Sequence, residues 1–378
     1  MRILALLTDA FGGSGGIAKY NRDFLSALCR YPSCDEVVAI PRLAPNKVQA
    51  LPDKLNYIPD GLGGKARYAG AVLKTVLGNP KFDLVICGHL HLLWLAQLLR
   101  ASFIRSPLFL LLYGVDAWKP TRHRLSNYFT RKLDGILSIS EVTLERFKGW
   151  AHLNGAKSFL LPPAVELDRF SPGEKDEVLL ARYGLSGKTV MMSLARLSSE
   201  DRYKGIDEAL GVMPELVREV PNLVYLVAGD GTDRRRLEEK AKALGLQERV
   251  IFTGFVPEEE KARLYRLADV FVMPGRGEGF GIVYLEAVAC GVPVVGSKKD
   301  ASIEALRHGE LGVLVDPDDP REIREGILEA LRRPRGAVPR GLEFFSHQNF
   351  EKRCWGMLEA VSCRRGRVLS AATSPICR

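Results

Sequence analysis

No stretch of this sequence keeps about 18 apolar residues together, so it offers no helix able to cross a bilayer, and any membrane contact is expected to be peripheral. Cysteine is scarce and poorly placed for cross-linking. Cys29, Cys34, Cys87, Cys290, Cys354, Cys363 and Cys377 are odd in number, and none forms a CxxC pair or has a histidine-rich partner segment. That pattern speaks against a disulfide framework and a zinc site, and it suits a reducing cytoplasm. A proper GxGxxG loop, followed about 20 residues on by an acidic residue at a strand end, is also missing, which ranks an NAD-dependent dehydrogenase low. Basic residues are not interleaved with aromatics in any nucleic-acid motif, so no nucleic-acid partner is expected. The apolar run from Met1 to Leu7 is too short for a signal peptide and has Asp9 and a glycine cluster behind it; it reads as a first strand.

The chain has 378 residues, 46% hydrophobic and 26% charged, which exceeds what one core usually supports and predicts two globular domains. Its net charge of +9 is unevenly spread. Residues 1–165 hold 21 Lys/Arg against 11 Asp/Glu, residues 331–378 hold 10 against 3, and the middle is acidic at −8. A basic first half beside an acidic second half suggests an anionic partner, either a lipid surface or a phosphorylated acceptor.

Short apolar runs alternate with helical patterns throughout. Residues 3–8, 36–40, 82–87, 108–113 and 135–140 read as strands of a first sheet. Residues 189–194, 223–228, 250–253, 269–273, 293–296 and 312–315 read as strands of a second. Such alternation implies parallel sheets, hence an α/β protein of two Rossmann-like, doubly wound domains. The paired prolines in Leu160 to Glu166 mark the linker. Domains are expected over 1–165 and 166–340, with a helix around 344–361 in a basic tail, 341–378, that packs back on the first domain. The last ten residues are expected to be disordered. Because open parallel sheets bind ligands beyond the carboxyl ends of their strands, two such domains facing each other would form a cleft with a loop edge on each wall.

The densest chemical signal runs from Pro274 to Glu286. After an apolar strand, Gly275, Gly277, Gly279 and Gly281 let backbone amides approach a ligand, and a helix is predicted from near Gly281 to Gly291 with Pro293 beyond. The first amides of that helix lack intrahelical partners and its dipole is positive there, which suits a diphosphate. Glu278 stays in the loop, while Glu286 lies roughly 8 Å of rise inside the helix. Carboxylates accept hydrogen bonds from sugar hydroxyls but repel phosphate, so an acidic group at each end of a diphosphate points to a nucleotide sugar.

These residues resemble the retaining glycosyltransferases of family 4, which have the GT-B fold of two Rossmann-like domains with the active site between them. Family members carry two glutamates spaced as Glu278 and Glu286, and an Arg and a Lys before a Gly, matched by Arg196 and Lys204-Gly205. The motifs match nearly unbroken from about Leu194 to Ile323 and are most like bacterial mannosyltransferases of lipid or exopolysaccharide pathways. The resemblance implies that Arg196 and Lys204 bind the donor diphosphate, which fits two cations offsetting charge on a leaving group. Amides of Gly279, Phe280, Gly281 and Ile282 would hold phosphate or sugar oxygens, Glu278 the sugar, Glu286 the ribose, and the backbone at Phe255 and Val256 the base.

In the first half, Gly15 and Gly16 open a helix expected over Ile17 to Cys29 and would meet the diphosphate from the other wall. Many relatives place a histidine where Tyr113 stands here. Tyr113 is therefore the candidate for hydrogen bonding to the donor sugar, Asp116 for orienting or deprotonating the acceptor hydroxyl if its pKa is raised, and His89 for the acceptor side. The reading is a retaining hexosyltransferase, peripheral at the inner membrane face, with no metal or other cofactor expected. GDP-mannose is the preferred donor and a saccharide or lipid-linked acceptor, such as a polyprenyl diphosphate-linked one, the expected partner. UDP-glucose-dependent transfer and an inactive nucleotide-sugar-binding subunit are the alternatives.

Overall fold

The computed structural model describes residues 1–365, and two compact units are built from them. The first contains residues 1–138, 144–161 and the described residues from Gln348 onward; the second contains 139–143 and 162–347. The chain crosses between units after Leu161, at the paired prolines. The last described helix, His347–Arg365, counts with the first unit from Gln348. There Trp355 Nε1 donates to the Ala27 carbonyl at 2.9 Å and Phe350 packs edge-on against Tyr20. The expectation of disorder over the last ten residues lies outside the described residues.

Each unit is organised by one parallel sheet. In the first unit the strands are β1 (Arg2–Leu7), β2 (Glu36–Pro41), β3 (Leu55–Tyr57), β4 (Leu84–Cys87), β5 (Leu108–Leu112), β6 (Gly135–Ser138) and β7 (Lys157–Leu160), ordered β3-β2-β1-β4-β5-β6-β7. In the second they are β8 (Thr189–Leu194), β9 (Leu223–Ala228), β10 (Val250–Gly254), β11 (Val270–Val272), β12 (Val294–Ser297) and β13 (Val313–Val315), ordered β10-β9-β8-β11-β12-β13. The inner strands β4, β5, β9 and β11 are buried along their whole length, because helices cover both faces of a parallel sheet and leave no solvent side to alternate toward. Two edge strands were not anticipated. β3 has only three residues, and β7, Lys-Ser-Phe-Leu, is mostly exposed, so neither carries the apolar run that marks an inner strand.

Both sheets reverse direction in the same place. From β1 the chain works outward through β2 and β3, then returns to lay β4 on the other side of β1; from β8 it works outward through β9 and β10, then returns with β11 beside β8. At such a reversal the loops leaving the two central strands diverge and open a crevice at their carboxyl ends. Residues following β1, β4, β8 and β11 are therefore the ones the topology offers to ligands.

Candidate active site

In the second unit the loops after β8 and β11 are locked together through glycines. Gly205 has φ +85°, and a Cβ there would lie 2.5 Å from the Pro274 carbonyl; a Cβ on Gly275 would lie 2.8 Å from the Tyr203 carbonyl oxygen. The Arg276 amide donates to that same Tyr203 carbonyl at 2.7 Å. The loop after β9 closes the group: a Cβ on Gly229, at φ +130°, would stand 1.8 Å from the Ala195 oxygen, and the Leu197 amide donates to Asp230 at 2.9 Å. Only glycine permits backbones this close in these conformations.

This scaffold sets out the charged side chains. Lys204 Nζ donates to Glu278 Oε2 at 2.9 Å, both side chains largely buried. Burial alone would lower the lysine's pKa, but Glu278, Tyr203 and Asp201 together outweigh it and the net shift is upward, so the ammonium stays charged. Arg196 donates through Nε to Asp201 Oδ2 at 2.6 Å, while its side chain is 70% exposed and no described residue bonds its terminal nitrogens. Asp201 also accepts from Ser198 at 2.5 Å and from the Tyr203 hydroxyl at 3.2 Å; burial pushes its pKa up, but the bonds from Arg196 and Ser198 and the charges of Arg196 and Lys204 together outweigh burial and lower it. Asp300, buried and with its pKa raised by that burial, accepts from the Glu278 and Ser302 amides at 2.8 and 3.0 Å. Arg276 reaches Glu208 and Asp318, tying the glycine loop to two further elements. The result is a braced cationic patch, with one guanidinium turned outward and one ammonium held by a carboxylate.

The helix after this loop runs Ile282–Ala289, with Gly281 at its N-cap in the left-handed region and no side chain capping it. It ends two residues before the predicted stop. Gly291, at φ +72°, donates to Val288 and Val292 donates to Ala287, a left-handed closure that satisfies the last carbonyls. The uncapped first-turn amides remain available to an anion. Glu286 points inward rather than lying open: it is 1% exposed and accepts from the Tyr265 hydroxyl at 2.9 Å. Phe280 is likewise buried, edge-on to Phe345, so its backbone alone can serve a ligand. Phe255 is 78% exposed after β10, with Val256 half-buried beside it.

In the first unit, helix Gly16–Arg30 starts one residue earlier and ends one later than expected, with Gly15 at its N-cap at φ +84°. A Cβ on Gly15 or Gly16 would meet nothing within 4 Å, which leaves the amides there open to approach. Tyr113 is buried and its hydroxyl donates to Asn21 Oδ1 at 2.6 Å, so this side chain fastens the loop after β5 to that helix. Asp116 and His89 come together from the ends of β5 and β4, with Nε2 and Oδ2 3.8 Å apart. Burial raises the Asp116 pKa to about 7, and its Oδ2 is buried without a hydrogen-bond partner among the described residues. Burial, with His91 and Arg42 nearby, lowers His89 to about 4. The His91 amide donates to His89 Nδ1 at 3.1 Å, which places the proton of the neutral ring on Nε2, toward Asp116.

Sequence reasoning missed Asp201, Asp300, Tyr265, Asn21 and Arg276. Each acts by holding a neighbour, and only Arg276 sits inside the motif itself.

Residues 180–339 match the model of the family described as glycosyl transferases group 1. Over 246 residues, or 61% of the chain, the sequence is 36% identical to a GDP-mannose-dependent alpha-(1-6)-phosphatidylinositol monomannoside mannosyltransferase of Mycolicibacterium smegmatis, of whose length it spans 63%. It is 31% identical, over 54% of its length, to 46% of an alpha-monoglucosyldiacylglycerol synthase of Streptococcus pneumoniae. Among solved structures, Anabaena Alr3699/HepE, determined in complex with UDP and glucose, superposes with a TM-score of 0.75 over 95% of this chain and all of its own, at 19% identity. Residues 180–339 are thus similar to the glycosyl transferases group 1 family, and the two parallel sheets are arranged as in a GT-B fold.

Proposed function

We propose that this protein is a retaining hexosyltransferase that moves mannose from GDP-mannose to a hydroxyl of a saccharide or lipid-linked acceptor. One observation carries the reading: Arg196, the Lys204–Glu278 pair and the uncapped start of helix Ile282–Ala289 converge at the carboxyl ends of β8 and β11, the reversal point of the second sheet. Cations and amides there would stabilise a diphosphate as the glycosidic bond lengthens. Glu278 would accept from sugar hydroxyls, Glu286 from the ribose, and the backbone at Phe255 and Val256 would read the base. In a front-face transfer the departing diphosphate takes the proton of the acceptor hydroxyl, so no protein nucleophile is needed, and Asp116 with His89 would orient that hydroxyl.

The name of the mycolicibacterial relative supports mannose and a lipid acceptor; the glucosyl relative and the neighbour holding UDP and glucose keep UDP-glucose as a second donor. The basic first half favours an anionic membrane surface as the working location. The purified protein, incubated in turn with GDP-mannose and UDP-glucose and scored for nucleoside diphosphate release and for a thermal shift, should respond most to GDP-mannose, because a ligand that binds the folded state raises its melting temperature. Activity should persist in EDTA. A thermal shift without release from either donor, with any acceptor offered, would instead support an inactive binding subunit.

A further inference from the structure

In the first unit, helices Lys65–Gly78 and Leu93–Ser102 lie side by side, and between them is an apolar depression lined by Leu73, Trp94, Leu98 and Phe103. Packing would normally hide such residues, yet Leu73, Leu98 and Phe103 are 40%, 50% and 45% exposed, and Leu77, on the same helix as Leu73, is 58% exposed. A second depression continues along the second helix, lined by Arg100, Arg105 and Lys132. The surrounding segment, 61–115, holds six Lys/Arg and a single acid, Asp83, whose carboxylate accepts from the Arg2 amide at 2.6 Å. Arg100 is paired with Asp134 at 2.9 Å, whereas Arg105 and Lys132 form no ion pair among the described residues.

We infer that this face seats the protein on an anionic lipid bilayer, with Leu73, Leu98 and Phe103 entering the acyl boundary and Arg105 and Lys132 meeting lipid phosphates. Exposed apolar side chains beside unpaired cations are the two signals that peripheral anchoring combines. A second copy of the chain fits poorly, since a two-fold interface would bring like-charged surfaces together. The inference rests on the anionic membrane surface proposed above and gives it an address in the fold.

The test is co-sedimentation of the full chain with vesicles of phosphatidylcholine alone and of phosphatidylcholine mixed with phosphatidylglycerol. Wild type should bind the mixed vesicles, less tightly as salt is added. The double variant Arg105→Ala/Lys132→Ala should bind them roughly 30-fold more weakly, each cation near an anionic surface being worth about a factor of five. Leu98→Ser/Phe103→Ser should lose roughly tenfold through lost apolar insertion. Both should keep the wild-type melting temperature and its shift with GDP, which reports folding and nucleotide binding separately. Wild type that ignores anionic vesicles sinks the membrane reading itself. Wild type that binds while both double variants bind equally well removes this face and leaves the membrane reading standing. Self-association seen by sedimentation velocity, and abolished in the variants with vesicle binding unchanged, overturns the proposal in favour of a second copy.

Discussion

The two units share a sheet topology and a reversal point but furnish the ends of their central strands in opposite ways. In the second unit the loops after β8, β9 and β11 touch backbone to backbone, and their charged side chains are braced by Asp201, Asp300 and Glu278. In the first, Gly15 and Gly16 face open space and the Asp116–His89 pair is left partly unsatisfied. A preorganised set of donors suits a leaving group whose charge is the same whatever the acceptor, while looser strand ends suit an acceptor that differs between relatives. Breaking each arrangement in turn measures how far this division holds.

The largest effect is expected at Lys204. Lys204→Ala removes the ammonium proposed to meet the diphosphate and leaves the largely buried Glu278 without its cation, so turnover should fall roughly 10²–10³-fold, comparable to losing one transition-state donor. Steady-state rates at saturating donor measure this directly. A variant that turns over normally and only weakens donor binding would move Lys204 from the transition state to the ground state.

Next come the glycines. Gly229→Ala forces a Cβ to 1.8 Å from the Ala195 carbonyl at a backbone angle alanine avoids, and should cost about 3 kcal/mol, roughly 10 °C in melting temperature. Gly16→Ala meets nothing within 4 Å at an ordinary backbone angle and should change stability by less than about 0.5 kcal/mol. Equal melting temperatures for the two variants would erase the contrast between tight and open loops.

Glu286 sharpens the same contrast from inside the helix. Glu286→Ala removes the partner of the Tyr265 hydroxyl, at a cost of about 1–3 kcal/mol, and should also raise the donor dissociation constant. Glu286→Gln can still accept from Tyr265. Stability restored by Gln while donor affinity stays weak would separate the ribose role from the structural one; full recovery of both would count against a need for the carboxylate.

What the sequence reveals follows the same lines. Continuous apolar runs mark β4, β5, β9 and β11 because both faces of each are covered, whereas β3 and β7 carry no such signal at their sheet edges. Glu278 and Glu286 stand out by their places in the glycine-rich motif, and Arg196 and Lys204 by the family resemblance. That Lys204 meets Glu278 across 74 positions, or that Tyr113 meets Asn21 across 92, is decided by strand order, which places β11 against β8 and the loop after β5 within reach of the first helix. Local patterns single out the glycine-rich loop, but only the sheet says what braces it. The inward turn of Glu286 escaped for a related reason: helical spacing fixes its height along the axis, and burial depends on Tyr265 arriving from another segment.

The smallest effect should come from the looser unit, in its response to pH. Asp116 has its pKa raised by burial from 3.8 to about 7, so between those values the folded chain binds more protons there than the unfolded chain, and the contribution of Asp116 to stability is lost as pH rises. His89, lowered from 6.5 to about 4, acts oppositely: the unfolded chain takes up the proton first, so its contribution is present above pH 6.5 and is lost as pH falls toward 4. Across pH 4 to 6.5 the two slopes largely cancel. Asp116→Asn removes only the first, so the melting temperature of the variant minus that of wild type should climb steadily as pH rises from 4 to 7. A flat difference would mean that Asp116 ionises in the fold as readily as in the unfolded chain, and its proposed part in orienting an acceptor hydroxyl as a neutral acid or a near-neutral base would lose its physical support.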